Sequence, residues 1–220
     1  RETLAQITSS ELHYGDPLGA PVLRATLAEY LARVRGVVAE PSNVVITTGF
    51  NQASTLVFRA LAAAGLRRLA LEGPCRPGHR LRAEPLGLKA PHIPVDEDGL
   101  RVEELTRASV DAVVLTPAHQ FPTGAVLSGE RRTALLGWLR SRKAFVFEDD
   151  YDAEIRYDRA AIGALQGLEP DRVIYAGSAS KTLAPALRLG WLVVPRELRA
   201  AIDWEKRLAD TDDRRTAFEA

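Results

Sequence analysis

Short apolar runs alternate along this chain with longer amphipathic stretches. Residues 44–48, 69–72, 112–116, 144–148, 173–176 and 189–194 are apolar almost throughout. Runs of that length and character are typical of strands buried on both faces, as in parallel sheets. Residues 21–35, 51–64, 129–142 and 196–208 are longer and mix apolar with charged positions, which predicts helices. The segment "APHIPVDEDGL" carries two prolines and an Asp-Gly pair, so it reads as a loop and a short edge strand before a helix starting near Arg101. Strands separated by helices predict an α/β fold: a mostly parallel sheet with helices on both faces, in three layers α/β/α. In such sheets ligands bind beyond the C-terminal ends of the strands. Chemistry is therefore sought at residues 48–51, 73–76, 116–124, 149–151 and 177–181.

Composition narrows the class without naming a function. The 220 residues are 46% hydrophobic and 26% charged, an ordinary globular balance able to bury a substantial core. Formal net charge is zero, so the chain lacks the basic excess of a nucleic-acid-binding domain. A single cysteine, Cys75, excludes an internal disulfide and suits a reducing, cytoplasmic setting. No apolar run reaches transmembrane length and no signal-peptide layout opens the chain. There is no methionine, and "EKRLADTDDRRTAFEA" resembles a helix cut in mid-course, so the expectation is a domain excised from a longer parent. Lysine is scarce, four residues against 25 arginines (29 less 4), and Lys89, Lys143 and Lys206 fall in segments that read as polar surface. Lys181 instead follows an apolar strand.

Three strand ends carry candidate chemistry. In "VVITTGFNQAS" a strand runs through Gly49 directly into a helix, so the N–H groups near Phe50 and Asn51 would form an anion site. The alternative is an ordinary strand–helix turn capped by Asn51. In "AFVFEDDYD" three acids close a buried strand with Tyr151 just beyond. They read either as a solvated acidic loop or as a carboxylate kept ionised for a cationic ligand group. No histidine flanks them at metal-ligand spacing, and no metal is expected. In "YAGSASKTLAPALRLGW", Ser178 and Ser180 offer hydroxyls and Arg188 a bidentate phosphate contact. Lys181 is there a candidate buried amine of lowered pKa, fit to form a Schiff base. The alternative is a polar loop with a surface lysine. A phosphate, a pyridine nitrogen, a phenolic oxygen and an aldehyde together would use all of these groups, and pyridoxal 5'-phosphate carries all four.

The motifs "HYGDPLG", "ITTGFNQA", "TPAHQFPTG", "FEDDYDAEIRY" and "SASKTLAPALRLGW", in that order over residues 13–195, resemble those of fold-type I proteins of the aspartate-aminotransferase superfamily. "HQFPTG" and "EDDYD" resemble more narrowly the aminotransferase-like domain of MocR-type regulators, the GntR-family branch with a winged-helix head. The resemblance implies that residues 1–220 are the large cofactor-binding domain, without the winged helix and the small C-terminal domain. It implies Lys181 as the Schiff-base lysine, Asp149 as the partner of the pyridinium nitrogen, and Tyr151 beside the ring's phenolic oxygen. Ser178, Ser180 and Arg188 are implied as phosphate ligands, together with the turn at Gly49, Phe50 and Asn51. Tyr14 would reach a phosphate across a homodimer. Arg76 stands where relatives stack an aromatic on the ring, Phe50 where a serine is common, and Phe121 where catalytic relatives place an asparagine; His119 or Gln120 could substitute for it. Cys75 reads as a small structural residue of low reactivity.

Three functions compete. The first is a sensor domain that holds pyridoxal phosphate as an internal aldimine at Lys181, responds to an amine or amino acid, and leaves DNA to a head outside this segment. The second is a working aminotransferase in which Lys181 is also the general base. The third is a degenerate dimerisation scaffold that binds no cofactor, for which Arg76 is the best argument.

Overall fold

A computed structural model describes residues 15–152 and 163–210. Eight strands form a single sheet. They are β1 (Val44–Thr47), β2 (Leu69–Gly73), β3 (His92–Asp96), β4 (Gly99–Leu100), β5 (Ala112–Leu115), β6 (Phe145–Asp150), β7 (Val173–Ser178) and β8 (Gly190–Val193). Their spatial order is β1-β8-β7-β6-β5-β2-β3-β4. β3, β2, β5, β6 and β7 run parallel, whereas β8 is antiparallel to β7 and β1 antiparallel to β8. The reversal follows from chain length. A parallel return needs a crossover of a dozen or more residues, usually a helix. Between β7 and β8 the chain makes only one turn and a short 3-10 segment, Pro185–Leu187.

Among the described residues six helices cover the sheet: α1 (Pro21–Arg35), α2 (Phe50–Ala63), α3 (Pro77–Ala83), α4 (Val102–Ala108), α5 (Gly129–Arg142) and α6 (Arg196–Asp210). Along each strand, alternate side chains enter different layers. Phe145, Phe147, Ile174, Ala176 and Leu192 pack with Val57, Phe58 and Leu61 of α2 and with Ile202 of α6. Val146 and Val173 pack instead with Leu105 of α4 and with Leu135 and Leu139 of α5. Tyr175 and Val193 face Leu27 and Leu31 of α1 on that same second side.

The predicted elements reappear with ends displaced by a residue or two, and β6 runs on through both aspartates. α3 was not foreseen, because "PGHRLRA" is too short to show an apolar period; Pro77 at its start sets the first turn. "APHIPVDEDGL" forms the edge hairpin of β3 and β4, with Val95 opposite Leu100. Its prolines are accommodated because β4 pairs with only the end of β3. α5 begins at Ser128, whose hydroxyl accepts from the Arg131 amide at 3.4 Å.

Candidate functional site

The two antiparallel joins bring three chain segments together at one end of the sheet. Thr47 of β1 pairs with Gly190 of β8, and Gly190 with Ser178 of β7. The ends of β1 and β7 thus flank the start of β8. A Cβ on Gly190 would lie 2.9 Å from the Gly49 Cα, so only glycine allows this approach. Gly49 itself has φ 85° and ψ 178°, a conformation left almost entirely to glycine, and it is the N-cap of α2. No side chain caps this helix. Asn51 is exposed and does not fill that role, and Gln52 instead accepts from the Thr48 amide at 2.9 Å. The first N–H groups of α2 therefore open outward beside Arg188. The Arg188 guanidinium donates to the Thr48 carbonyl at 3.1 Å, and a Cβ on Gly49 would stand 3.0 Å from its Nη2. Gly49, Phe50, Asn51, Arg188 and Ser178 lie together at this end of the sheet.

Phe50 has a second use. Its ring stacks on Phe147, with centroids 5.6 Å apart and planes 5° from parallel, and meets His79 edge-on at 5.8 Å. The side chain that stands where a serine is common is thus part of the packing beneath the site.

β6 divides the acidic cluster between its two faces. Glu148 accepts from the amides of Leu165 and Gln166, both at 3.0 Å. Asp150 accepts from Arg35 Nε at 2.8 Å and from the Tyr175 hydroxyl at 2.7 Å. Asp149 points to the opposite face, the side of Phe147 and α2. It is 4% exposed and takes no hydrogen bond from any described residue. Burial pushes its pKa well above the usual carboxylate range; the nearby charge of Arg76 opposes that, and Asp150, Glu72 and Asp152 reinforce it. The solvated acidic loop is therefore not found: all three acids are buried. Asp149 lies opposite Ala176 on β7, one strand from Ser178.

Beyond β6, the half-buried Tyr151 places its hydroxyl 3.2 Å from His119 Nδ1 and meets Phe121 edge-on at 6.3 Å. His119 Nδ1 also contacts the Asp152 carboxylate. The Arg76 guanidinium lies over the Phe121 ring, 5.4 Å from its centroid. Arg76, Phe121 and Asp149 line one narrow cleft with Glu72 and Thr116. Of the two substitutes for a missing asparagine, Gln120 is already committed. Its amide nitrogen donates to the carbonyls of Pro74 and Phe121, both at 2.7 Å, and its oxygen accepts from the Thr123 hydroxyl at 2.7 Å. His119 is the one beside Tyr151.

Glu72 was not singled out from sequence. It is 5% exposed and accepts from the Thr116 amide at 3.0 Å and hydroxyl at 2.8 Å. Burial pushes its carboxyl up to about 7. The legible signal was a lone glutamate inside "LALEG". Burial also raises the Cys75 thiol, as its structural reading requires.

Two expectations about lysine are reversed. Lys181, in the turn closed by the Leu183 amide on the Ala179 carbonyl at 2.9 Å, is exposed rather than buried. Lys206, expected on the surface, is 3% exposed on α6, and its ammonium pairs with Asp210. Ser180 adjoins Lys181 in the same turn, half-buried. Tyr14 lies outside the described residues.

Wider clefts exist at the other end of the strands, about 380 Å³ beside Asp111 and Phe145 and about 510 Å³ beside Asn43 and Asp171. Neither contains a residue of the constellation above. Among the described residues no group of histidine, cysteine and acidic side chains could hold a metal ion. No helix among them is long and apolar enough to cross a membrane.

A buried carboxylate with no donor among the described residues, an uncapped helix N-terminus with an arginine, and an accessible lysine thus lie at one end of the sheet. The family model for aminotransferase class I and II matches residues 1–210, and the chain belongs to that family. Its relatives include DNA-binding regulators. It is 35% identical over 173 residues to the HTH-type pyridoxine biosynthesis transcriptional regulator PdxR of Corynebacterium glutamicum, covering 79% of this chain and 38% of that one. It is 38% identical over 181 residues to the probable rhizopine catabolism regulatory protein MocR of Rhizobium meliloti, covering 82% and 36%. The chain thus spans less than two-fifths of the length of these two relatives. Among solved structures, an archaeal alanine:glyoxylate aminotransferase superposes with a TM-score of 0.84 at 31% identity, over 95% of this chain and 54% of that one. The expected α/β fold with a mostly parallel sheet is the one found.

Proposed function

We propose that this chain is the pyridoxal-phosphate-binding, effector-sensing domain of a MocR-type transcriptional regulator. The observation that carries the reading is Asp149, a buried carboxylate that takes no hydrogen bond from any described residue, between two acids that each take two. Such a group suits a ligand that brings its own N–H, as a protonated pyridine does. The residues present fit the rest of the cofactor. The open start of α2, Gly49 and Arg188 would take the phosphate, with the hydroxyls of Ser178 and Ser180 at its rim. Tyr151 would offer its O–H to the phenolic oxygen, and Arg76, already over Phe121, would lie against the ring. When bound, the cofactor supplies an aldehyde that condenses reversibly with amines and a ring that withdraws electrons. Lys181 would hold that aldehyde carbon, and an amine or amino acid would be the effector that competes for it. A second copy of the chain would complete the site through Tyr14, and DNA would be bound by a head outside this segment.

The test is to add the cofactor to the protein, reduce with borohydride and map the modified residue by mass spectrometry. The expected label is on Lys181 and is lost in Lys181→Ala. A folded protein that takes no label would leave the scaffold reading standing.

The aminotransferase reading is supported by the likeness to the archaeal enzyme. In it Lys181, accessible in its turn, would also move a proton between substrate and cofactor. Release of an oxo acid from an amino acid in a single turnover would favour it over the sensor.

A further inference from the structure

We infer that Glu72 is a positioning residue: through Thr116 it holds Phe121 at its distance from Arg76, and so sets the width of the cleft beside Asp149. The inference rests on the cofactor reading only for the identity of the ring that would enter there. Arg76 and Phe121 come from different segments, the β2–α3 loop and the turn after β5, and the guanidinium lies 5.4 Å from the ring centroid. Both side chains are exposed, so core packing does not hold either in place. The registered pairs of β2 and β5 end at Leu71 and Val114, short of both loops. Beyond that point side chains join the two segments.

Glu72 Oε2 accepts from the Thr116 amide at 3.0 Å and from the Thr116 hydroxyl at 2.8 Å. The Phe121 amide donates to the same hydroxyl oxygen at 3.1 Å. An amide N–H only donates and an ionised carboxylate only accepts, so the order is fixed: Phe121 gives to Thr116, and Thr116 gives to Glu72. A second link runs beside the first. Gln120 Nε2 spends its two protons on the carbonyls of Pro74 and Phe121, both at 2.7 Å, and stands 3.4 Å from Glu72 Oε2. Phe121 is thus gripped at its amide and at its carbonyl, and Pro74, two residues before Arg76, is tied to the same side chain. Glu72, Thr116 and Gln120 are all buried, where such bonds are stronger than in water. Among the described residues the other Glu72 oxygen takes no hydrogen bond. A glutamine could therefore keep its carbonyl oxygen in the place of Oε2 and lose no bond. An alanine would leave both Thr116 donors without an acceptor.

The test has two readouts. In the cofactor-free protein, hydrogen exchange of the Phe121 amide is compared with that of the Val146 amide, which donates to the Arg172 carbonyl. In Glu72→Ala the ratio of the two rates should rise about tenfold, because the chain of bonds has lost its last acceptor and opens locally. In Glu72→Gln the ratio should stay within about twofold of the wild type. An unchanged ratio in Glu72→Ala, or an equal rise in Glu72→Gln, overturns the inference, whether or not cofactor binds. In the second readout, affinity for pyridoxal phosphate is measured against affinity for inorganic phosphate, which has no ring. Glu72→Ala should weaken the first about tenfold more than the second, since Arg76 and Phe121 must then be ordered on binding rather than beforehand. Glu72→Gln should restore the wild-type ratio. Equal losses for the two ligands overturn the inference. Should Glu72→Ala not fold, Thr116→Val, close in shape but without the hydroxyl, takes its place in the affinity comparison: the same selective loss is expected, and its absence overturns the inference. Failure of the wild type to bind pyridoxal phosphate would sink the proposed function alone, and the exchange ratio would still decide the role of Glu72.

Discussion

The two faces of β6 treat adjacent carboxylates in opposite ways. On the side of α1 and α5, Glu148 and Asp150 are bonded to backbone amides, an arginine and a tyrosine. On the side of α2, Asp149 is as deeply buried and has no donor among the described residues. Burying a carboxylate is costly unless donors replace its water. The two faces of one strand thus differ in how far the chain's own donors replace that water. Asp150 takes two hydrogen bonds on one oxygen while its Oδ1 takes none from a described residue, and the sheet end near Asp149 carries a strained glycine turn and an uncapped helix start.

The largest expected effect lies on the face of Asp150. Asp150→Ala removes a buried acceptor of both the Arg35 guanidinium and the Tyr175 hydroxyl. Breaking one side of a buried pair costs about 3–5 kcal/mol. Denaturant unfolding should show that loss; a change no larger than that of a surface substitution would undo the distinction between the faces.

A pH dependence should follow. Burial raises Glu72 and Glu148 from 4.5 to about 7. Groups with a folded pKa above the unfolded one bind more protons when folded. Their stabilisation is complete below about 4.5 and is lost as pH rises through about 7, on the order of a few kcal/mol in all. Glu72→Gln keeps an acceptor oxygen for Thr116 but cannot ionise, so unfolding curves of this variant should vary less steeply across that window.

Gly49→Ala asks whether the other side is built around a ligand. The added methyl meets φ 85° and the Arg188 guanidinium, which should cost about 1–3 kcal/mol. Phosphate-ester affinity should fall with it, and a variant that kept full affinity would place the anion site elsewhere.

No loss of stability is expected at Asp149→Asn, because no hydrogen bond from a described residue is broken and a costly buried charge is removed. Its effect belongs to binding: losing a charge-assisted bond of about 1.5–3 kcal/mol would weaken cofactor by roughly tenfold to a hundredfold. Strong destabilisation without a binding defect would make Asp149 structural, like its neighbours.

Much of the fold was legible because apolar periodicity is a local signal. Among the described residues, six of the eight strands and four of the six helices could be read from runs of residue types alone, and the turn signals of "APHIPVDEDGL" added an edge strand and the helix that starts near Arg101. α3 escaped because seven residues with a proline and two arginines show no period. The site was legible as a set of motifs at strand ends, but not in the assignment of burden within each motif. Glu72 passed unnoticed, and His119 was offered only as a substitute for a missing asparagine.

The sequence by itself determined the alternation of strands and helices, the family, and the residues from which the site is drawn. Those follow from side-chain type and spacing along the chain. Only the tertiary structure decided which acid of "FEDD" takes no hydrogen bond from a described residue, that Lys206 is buried and Lys181 exposed, that Gln120 is bonded to Pro74, Phe121 and Thr123 while His119 lies beside Tyr151 and Asp152, and that β8 reverses to bring Gly49 against Gly190. Each of these depends on a neighbour far away in sequence. Arg35 reaches Asp150 across 115 residues and Arg188 reaches Thr48 across 140, and partners so distant leave no trace in local pattern.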